Sequence, residues 1–324
     1  MKEQMEFGEL KKSFTNMEVS FPIFPTTPPK STSPTKINFI TSSIPLSDAR
    51  IMNLIFLSVG VSLNLLIISV IAFKSSMRTS INLYIVSFAC SNMVILIEPL
   101  EEMLRWFFNV NMKLNMDYVC MISFDVSVIT IAILKFMLYT NIFQEQISFG
   151  RTLLKRFTSI KGILLIWCSC IISLAIGLHI YDFFEGDMAD IYVWNTIMFI
   201  AMPFIIFVAI DSLILYELVI LKMIEGSWRK KYLRHYVMLV ITAIAFFLIR
   251  TPYRLARAIN FIEPKALCCT DSRREVLYFM AKTFPIISSI IYISSSAEFQ
   301  KAFQEILNFQ CRRSTKETNN DTII

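Results

Sequence analysis

Apolar residues along this chain come in long runs rather than in alternation or in narrow stripes. Seven runs follow one another, at about 50–74, 81–104, 118–143, 161–181, 191–222, 236–260 and 275–296. Most hold 20 residues or more, enough to cross ~30 Å of hydrocarbon at 1.5 Å per residue. The pattern therefore predicts seven membrane-spanning helices. The second and seventh runs are the least hydrophobic, because they carry Glu98 and Lys282. A lipid-spanning barrel would alternate in short segments, and none is visible.

The pattern changes at both ends. After the seventh run, Phe299, Phe303, Ile306, Leu307 and Cys311 recur at three- and four-residue spacing, with polar residues on the other face. That predicts an amphipathic helix lying along the inner leaflet. Cys311, beside Arg312 and Arg313, is a candidate for S-palmitoylation, and an unmodified cytosolic cysteine is the other reading. Before the first run, Pro22, Pro25, Pro28, Pro29 and Pro34 sit among Ser and Thr, a composition that builds no core. Residues 1–20 hold no apolar block of the kind a signal peptide has. The expected organisation is a disordered extracellular tail over 1–48 and a seven-transmembrane helix bundle over 49–298. A cytoplasmic helix and tail over 299–324 completes an all-α membrane protein.

Composition agrees with that class. The 324 residues are 55% hydrophobic, with mean hydropathy +0.57, far above an ordinary soluble domain. Seven Gly against 28 Phe fit helices. Seven Cys are scattered without metal-ligand spacing, and Cys168 and Cys170 lie inside an apolar run, as packing residues do.

Charge sets the expected orientation. The first, third and fifth loops carry Lys74 and Arg78; Arg151, Lys155, Arg156 and Lys161; and Lys222, Arg229, Lys230, Lys231 and Arg234. The fourth loop carries Asp182, Glu185, Asp187 and Asp190 with no Lys or Arg. Basic loops stay in the cytoplasm, which puts the N-terminus outside and the C-terminus inside. The basic clusters read as topology signals, the last also as a contact for a cytosolic partner, and no nucleic-acid partner is expected. Only two His are present, and no nucleophile–base pair or metal constellation is visible, so neither an enzyme nor a cofactor is expected.

Several short motifs then resemble rhodopsin-like (class A) G-protein-coupled receptors, in order along residues 50–310. Asn64 follows Leu63 in the first run, and Asn82-Leu-Tyr leads to Ala89-Cys-Ser-Asn92 in the second. Trp106 precedes Cys120 at the opening of the third run. Trp167, Pro203, and Phe246 six residues before Pro252 mark the next three. The seventh holds Ser288-Ser-Ile-Ile-Tyr292, followed by Glu298-Phe-Gln-Lys-Ala-Phe303. The resemblance implies a plasma-membrane receptor that passes an extracellular ligand's signal to a heterotrimeric G protein by movement of the sixth span. Switch candidates by the same resemblance, and by their buried charge, are Asn64, Asn92, Lys135, Glu145, Pro203, Asp211, Phe246, Pro252 and Tyr292.

The departures from the family are specific. Gln144-Glu145-Gln146 stands where the family has Asp-Arg-Tyr, Asn92 where it has a sodium-binding Asp, Ser288-Ser289 where it has Asn-Pro, and Arg250 where it has a Trp. The family's disulfide from Cys120 to the second outer loop has no partner there; Cys268 and Cys269 are the substitute candidates, if their Cα atoms come within about 7 Å.

Asp125, Lys135, Asp211, Arg250 and Lys282 fall inside apolar runs, and Glu98 lies near the end of one. A charge at that depth costs about 2.5–3.5 kcal/mol, so these side chains are expected in pairs or beside a wet cavity. The expected pairs are Lys135 with Asp211, and Arg250 with Asp125 or Glu98. Family receptors bind ligand between spans three, five, six and seven, so the candidate pocket residues are Asp125, Ser127, Trp194, Arg250, Arg254, Arg257 and Lys282. Arg250, Arg254 and Arg257 share one helix face, which suits an anionic group. Ser127 replaces the Asp of amine receptors, which disfavours an amine and leaves a peptide favoured; the acidic fourth loop points instead to a basic peptide. The alternatives are a receptor-like protein whose signalling is weak, constitutive or independent of G proteins, and a small transporter or channel.

Overall fold

The computed structural model describes residues 46–110, 116–143, 156–184, 188–262 and 271–320, with side chains over slightly narrower ranges. The tail, Gln144-Glu145-Gln146, Cys268, Cys269 and the side chain of Cys311 lie outside the described residues.

Each apolar run becomes helix. The helices are α1 Leu46–Phe73, α2 Ser80–Val94, α3 Ile97–Phe108, α4 Met116–Ile142, α5 Arg156–Phe184, α6 Met188–Glu225, α7 Lys230–Ile262, α8 Asp271–Ser295 and α9 Ala297–Asn320. Among the described residues there is no strand. Six of the helices are long and apolar enough to cross a membrane. The count rises to seven only if α2 and α3 together make one span, and these two are bent by 41° at their junction.

That junction corrects the expectation of one continuous second span. Pro99 lies in the first turn of α3, where its missing amide costs nothing. A helix running straight through would drive the Pro99 ring against the Ile95 carbonyl, so α2 stops before it. Gly60 accommodates the break, since a Cβ there would sit 2.8 Å from Leu96 Cδ1. Thr79 caps α2 by accepting the Asn82 amide at 3.3 Å. Asn109, at φ 54, closes α3 in the left-handed conformation that Asn tolerates.

Packing contacts close a ring in the order α1, α2, α5, α6, α7, α8 and back to α1. Helix α4 touches α2, α5, α6 and α7 and is the most buried of the candidate spans. The ring is apolar on its outside: Leu164, Leu165, Phe204, Ile205 and Leu248 are all exposed. Its inside is an apolar core that also holds polar and charged groups: Asn64, Asn92, Ser123, Ser127, Lys135, Arg250, Arg254 and Lys282 are all buried. Large apolar side chains facing outward, with polar groups kept inside, are the arrangement of a multi-pass membrane protein. Lipid tails satisfy apolar surface as well as a protein core does, so close packing and buried polar contacts hold such helices together.

Candidate functional site

The charged interior divides into three clusters along the bundle. The first lies at the Cys120 end, where α4 faces α7. Arg254 Nη1 lies 2.5 Å from Asp125 Oδ1, and both side chains are almost fully buried. Arg254 also donates to Asn195 and, at 3.5 Å, to Thr196 Oγ1, which ties α6 into the cluster. One turn earlier on α7, Arg250 takes different partners. Its Nη2 donates to Ser123 Oγ at 3.0 Å and its Nη1 to Ser127 Oγ at 3.1 Å, with a longer contact to the Ser123 carbonyl at 3.4 Å. The two serines are braced in turn by α2. Ser123 Oγ donates to the Ser91 carbonyl at 2.6 Å, and the Ser91 and Ser127 hydroxyls are 2.9 Å apart.

Aromatic rings surround these guanidiniums. Arg250 Cζ stands 5.6, 5.5 and 5.8 Å from the ring centres of Phe124, Phe246 and Phe284. Arg254 Cζ lies 4.4 Å from Phe124. Phe246 and Phe284 are fully buried and meet edge to face at 5.4 Å. Such faces attract a cation, most strongly where water is excluded. A small cavity of about 20 Å³, room for about one water, lies beside the cluster, lined by Cys120, Phe124, Arg250, Tyr253 and Arg254 among others.

A second cluster joins α8 to α1 and α3. Lys282 Nζ lies 2.9 Å from both Glu98 Oε2 and Asn53 Oδ1, and 4.2 Å from the centre of the Phe279 ring. Asn53 also donates to Glu102. The third cluster lies deeper. Lys135 on α4, with no exposed side-chain surface, bonds both carboxylate oxygens of Asp211 on α6, at 2.6 and 2.5 Å. The Phe207 ring covers its ammonium at 5.0 Å.

A second small cavity, of about 30 Å³, is lined mostly by apolar side chains, with Asn64, Asn92, Ser288, Ser289 and Tyr292 among them. Asn64 Nδ2 donates to the Gly60 carbonyl at 2.7 Å and to the Pro285 carbonyl at 3.3 Å. Asn92 Nδ2 donates to Ser288 Oγ at 3.0 Å, while Asn92 Oδ1 is buried without a protein partner. Tyr292 lines the same cavity and reaches Asn82 Oδ1 at 3.4 Å.

Set against the sequence expectations, the Lys135–Asp211 pair is present. The expected pairing of Arg250 with Asp125 or Glu98 is corrected: Arg254 takes Asp125, Lys282 takes Glu98, and Arg250 takes the α4 serines. Asp125, Ser127, Arg250 and Arg254 come together. Lys282 belongs to a separate cluster, and Arg257 is partly buried farther along α7. Trp194 stays apart, 66% exposed, because its neighbours Asn195 and Thr196 are the residues that face Arg254. Cys120 is aimed at Tyr278, with its Sγ 3.3 Å from the hydroxyl. Pro203 and Pro252 lie inside α6 and α7 without ending either helix.

Sequence reasoning missed Ser91, Ser123, Asn53, Asn195 and the Pro285 carbonyl. A usable signal was there for the serines. Ser87 with Ser91, and Ser123 with Ser127, recur four residues apart in apolar runs, the spacing that puts polar groups on one helix face. No family model matches the chain. No curated protein matches it either.

Proposed function

We propose that the chain is a plasma-membrane receptor of the rhodopsin-like kind. In this reading seven spans put the N-terminus outside, with α2 and α3 acting together as one broken span. An extracellular ligand, with a peptide favoured and an amine disfavoured, binds at the Cys120 end. It moves α7, the sixth span, and so signals to a heterotrimeric G protein at the α9 end. The observation that carries the proposal is Arg250. It is a buried cation on the Pro252-containing helix, held by two serines of the central helix, beside a cavity and above the Phe246 cluster. Intramembrane charges are kept where function needs them. A helix that has lost one backbone hydrogen bond at Pro252 is easier to move.

Two measurements test the proposal. An epitope ahead of Met1 should stain on intact cells, and its absence from the surface would sink the topology. Ligand-dependent recruitment of a G protein should then appear on a broad ligand screen. A second reading is favoured by one observation, the missing Arg at Gln144-Glu145-Gln146. It holds that the receptor signals weakly, constitutively or without a G protein. Glu145→Arg separates the two. Coupling that appears only in this variant supports the second reading, and equal coupling in parent and variant supports the first.

A further inference from the structure

The buried charges where α4 faces α7 do not balance. Lys282, in its own cluster, is matched by Glu98, and Arg254 by Asp125. Arg250, only 3% exposed, is held by two serine hydroxyls and one carbonyl. Among the described residues no carboxylate lies within ion-pair distance of it. Two guanidiniums one turn apart thus share the single carboxylate of Asp125, and the cluster keeps one positive charge too many. Serine hydroxyls and aromatic faces soften such a charge without cancelling it.

We infer that Arg250 is the anchor for one carboxylate of a monoanionic ligand, which enters by opening the small cavity between Cys120, Phe124 and Tyr253. The guanidinium fork matches a carboxylate in two parallel hydrogen bonds. The Phe124 and Tyr253 rings, once parted, offer a matching surface to an apolar group carried behind it. A dianion is excluded because Arg254 already has its counter-charge. Two sources present this chemistry, the free C-terminus of a peptide and a free aliphatic acid. An ester, an amide and an amine do not. The inference rests on the receptor reading only for the side from which the ligand arrives.

The experiment uses the purified full-length chain in detergent with no G protein, and reads its thermal midpoint. The probes are linear monocarboxylates from acetate to decanoate, their methyl esters, and an N-acetylated alanine tetrapeptide with a free or an amidated C-terminus. A matching free acid raises the midpoint by about 5 °C or more at a hundredfold excess over half-saturation. The corresponding ester or amide does not. Response to the tetrapeptide acid identifies a peptide terminus, and response to the alkanoates alone identifies an aliphatic acid. Arg250→Gln abolishes the shift and, by removing the surplus charge, raises the ligand-free midpoint. The inference is overturned if no free acid shifts the midpoint, if ester, amide or chloride shifts it equally, or if Arg250→Gln lowers the ligand-free midpoint. A carboxylate shift that depends on Arg250, in a chain that recruits no G protein in cells, keeps the site and overturns the receptor reading alone.

Discussion

At the scale of single residues, the strongest demand falls on Lys135. Its side chain has no exposed surface, whereas Asp211 keeps a quarter of its own. Removing the partner of a buried charge costs about 3–5 kcal/mol, more than the intact pair contributes over an apolar substitute. Asp211→Asn should therefore destabilise the chain by about that much, read as thermal midpoint or surface expression. Lys135→Met combined with Asp211→Leu should recover most of the loss. A double variant no better than Asp211→Asn alone would show that the pair is not what holds α4 to α6. The same logic orders the outer cluster: Asp125→Asn should be worse than Arg250→Gln, because it leaves two buried guanidiniums without a carboxylate. The Lys135 pair was legible in the sequence because both residues could be placed by counting along their helices from Cys120 and Pro203. The partner of Asp125 was not. Arg250 and Arg254 lie one turn apart on the same face of α7, and only the register of α7 against α4 decides which meets the carboxylate.

At the scale of elements, α9 is held by buried Phe299 and Ala302, by Gln300 on the end of α8, and by two exposed ion pairs. Phe299 is fully buried, stacks on Phe303 and meets Tyr292 edge to face at 5.4 Å, and its amide donates to Ser296 Oγ at 3.2 Å. Lys74 reaches Glu305 at 2.5 Å, and Lys231 reaches Glu298 at 2.9 Å, both pairs open to solvent. Exposed pairs contribute little, whereas truncating a buried Phe costs about 3–5 kcal/mol. Phe299→Ala should thus release α9, seen as faster amide exchange over Ala297–Leu307, and Glu298→Gln should leave exchange nearly unchanged. Lys74 hydrogen-bonds Glu305 and its charge holds that carboxyl below the usual range. A lowered folded value means its contribution is present above the ordinary carboxylate value and fades as pH falls through the lowered one. Protection from amide exchange around Glu305, taken relative to the intrinsic rate at each pH, should fall in acid for the parent chain, and a Glu305→Gln chain should show no such fall from this pair. Apolar run length and the three-to-four spacing of α9 made these elements readable. The break at Ile95 and Leu96 was missed because hydropathy runs straight through it, although Pro99 marked it.

At the scale of the whole molecule, one helix connects two of the three charged clusters. Helix α4 holds Arg250 of α7 through Ser123 and Ser127, Arg254 through Asp125, and Asp211 of α6 through Lys135. Its serines are braced against Ser91 of α2. The apolar runs showed the order of the helices but not the division of the second run into α2 and α3. The closed ring with α4 running through it was not readable, because neighbour relations depend on loops whose lengths do not fix them. In this arrangement α7 cannot swing away from α4 without breaking the serine contacts to Arg250 and the Arg254–Asp125 pair. A ligand carboxylate that takes Arg250 competes for those same guanidinium N–H groups, so binding removes one of the two ties that hold α7. Each hydrogen bond to a charged group contributes about 1.5 kcal/mol or more, which corresponds to roughly a tenfold shift in a two-state equilibrium. Ser123→Ala with Ser127→Ala should therefore mimic the ligand. The test places probes at Asn141 on α4 and Lys230 on α7 and measures their separation without ligand, beside ligand-free G-protein recruitment at matched surface expression. The double variant, which removes two such bonds, should populate the longer separation on the order of a hundredfold more than the parent, and recruitment should rise with it if the chain couples. An unchanged separation would mean that the aromatic cage of Arg250 and the Arg254–Asp125 pair hold α7 in place without the serines.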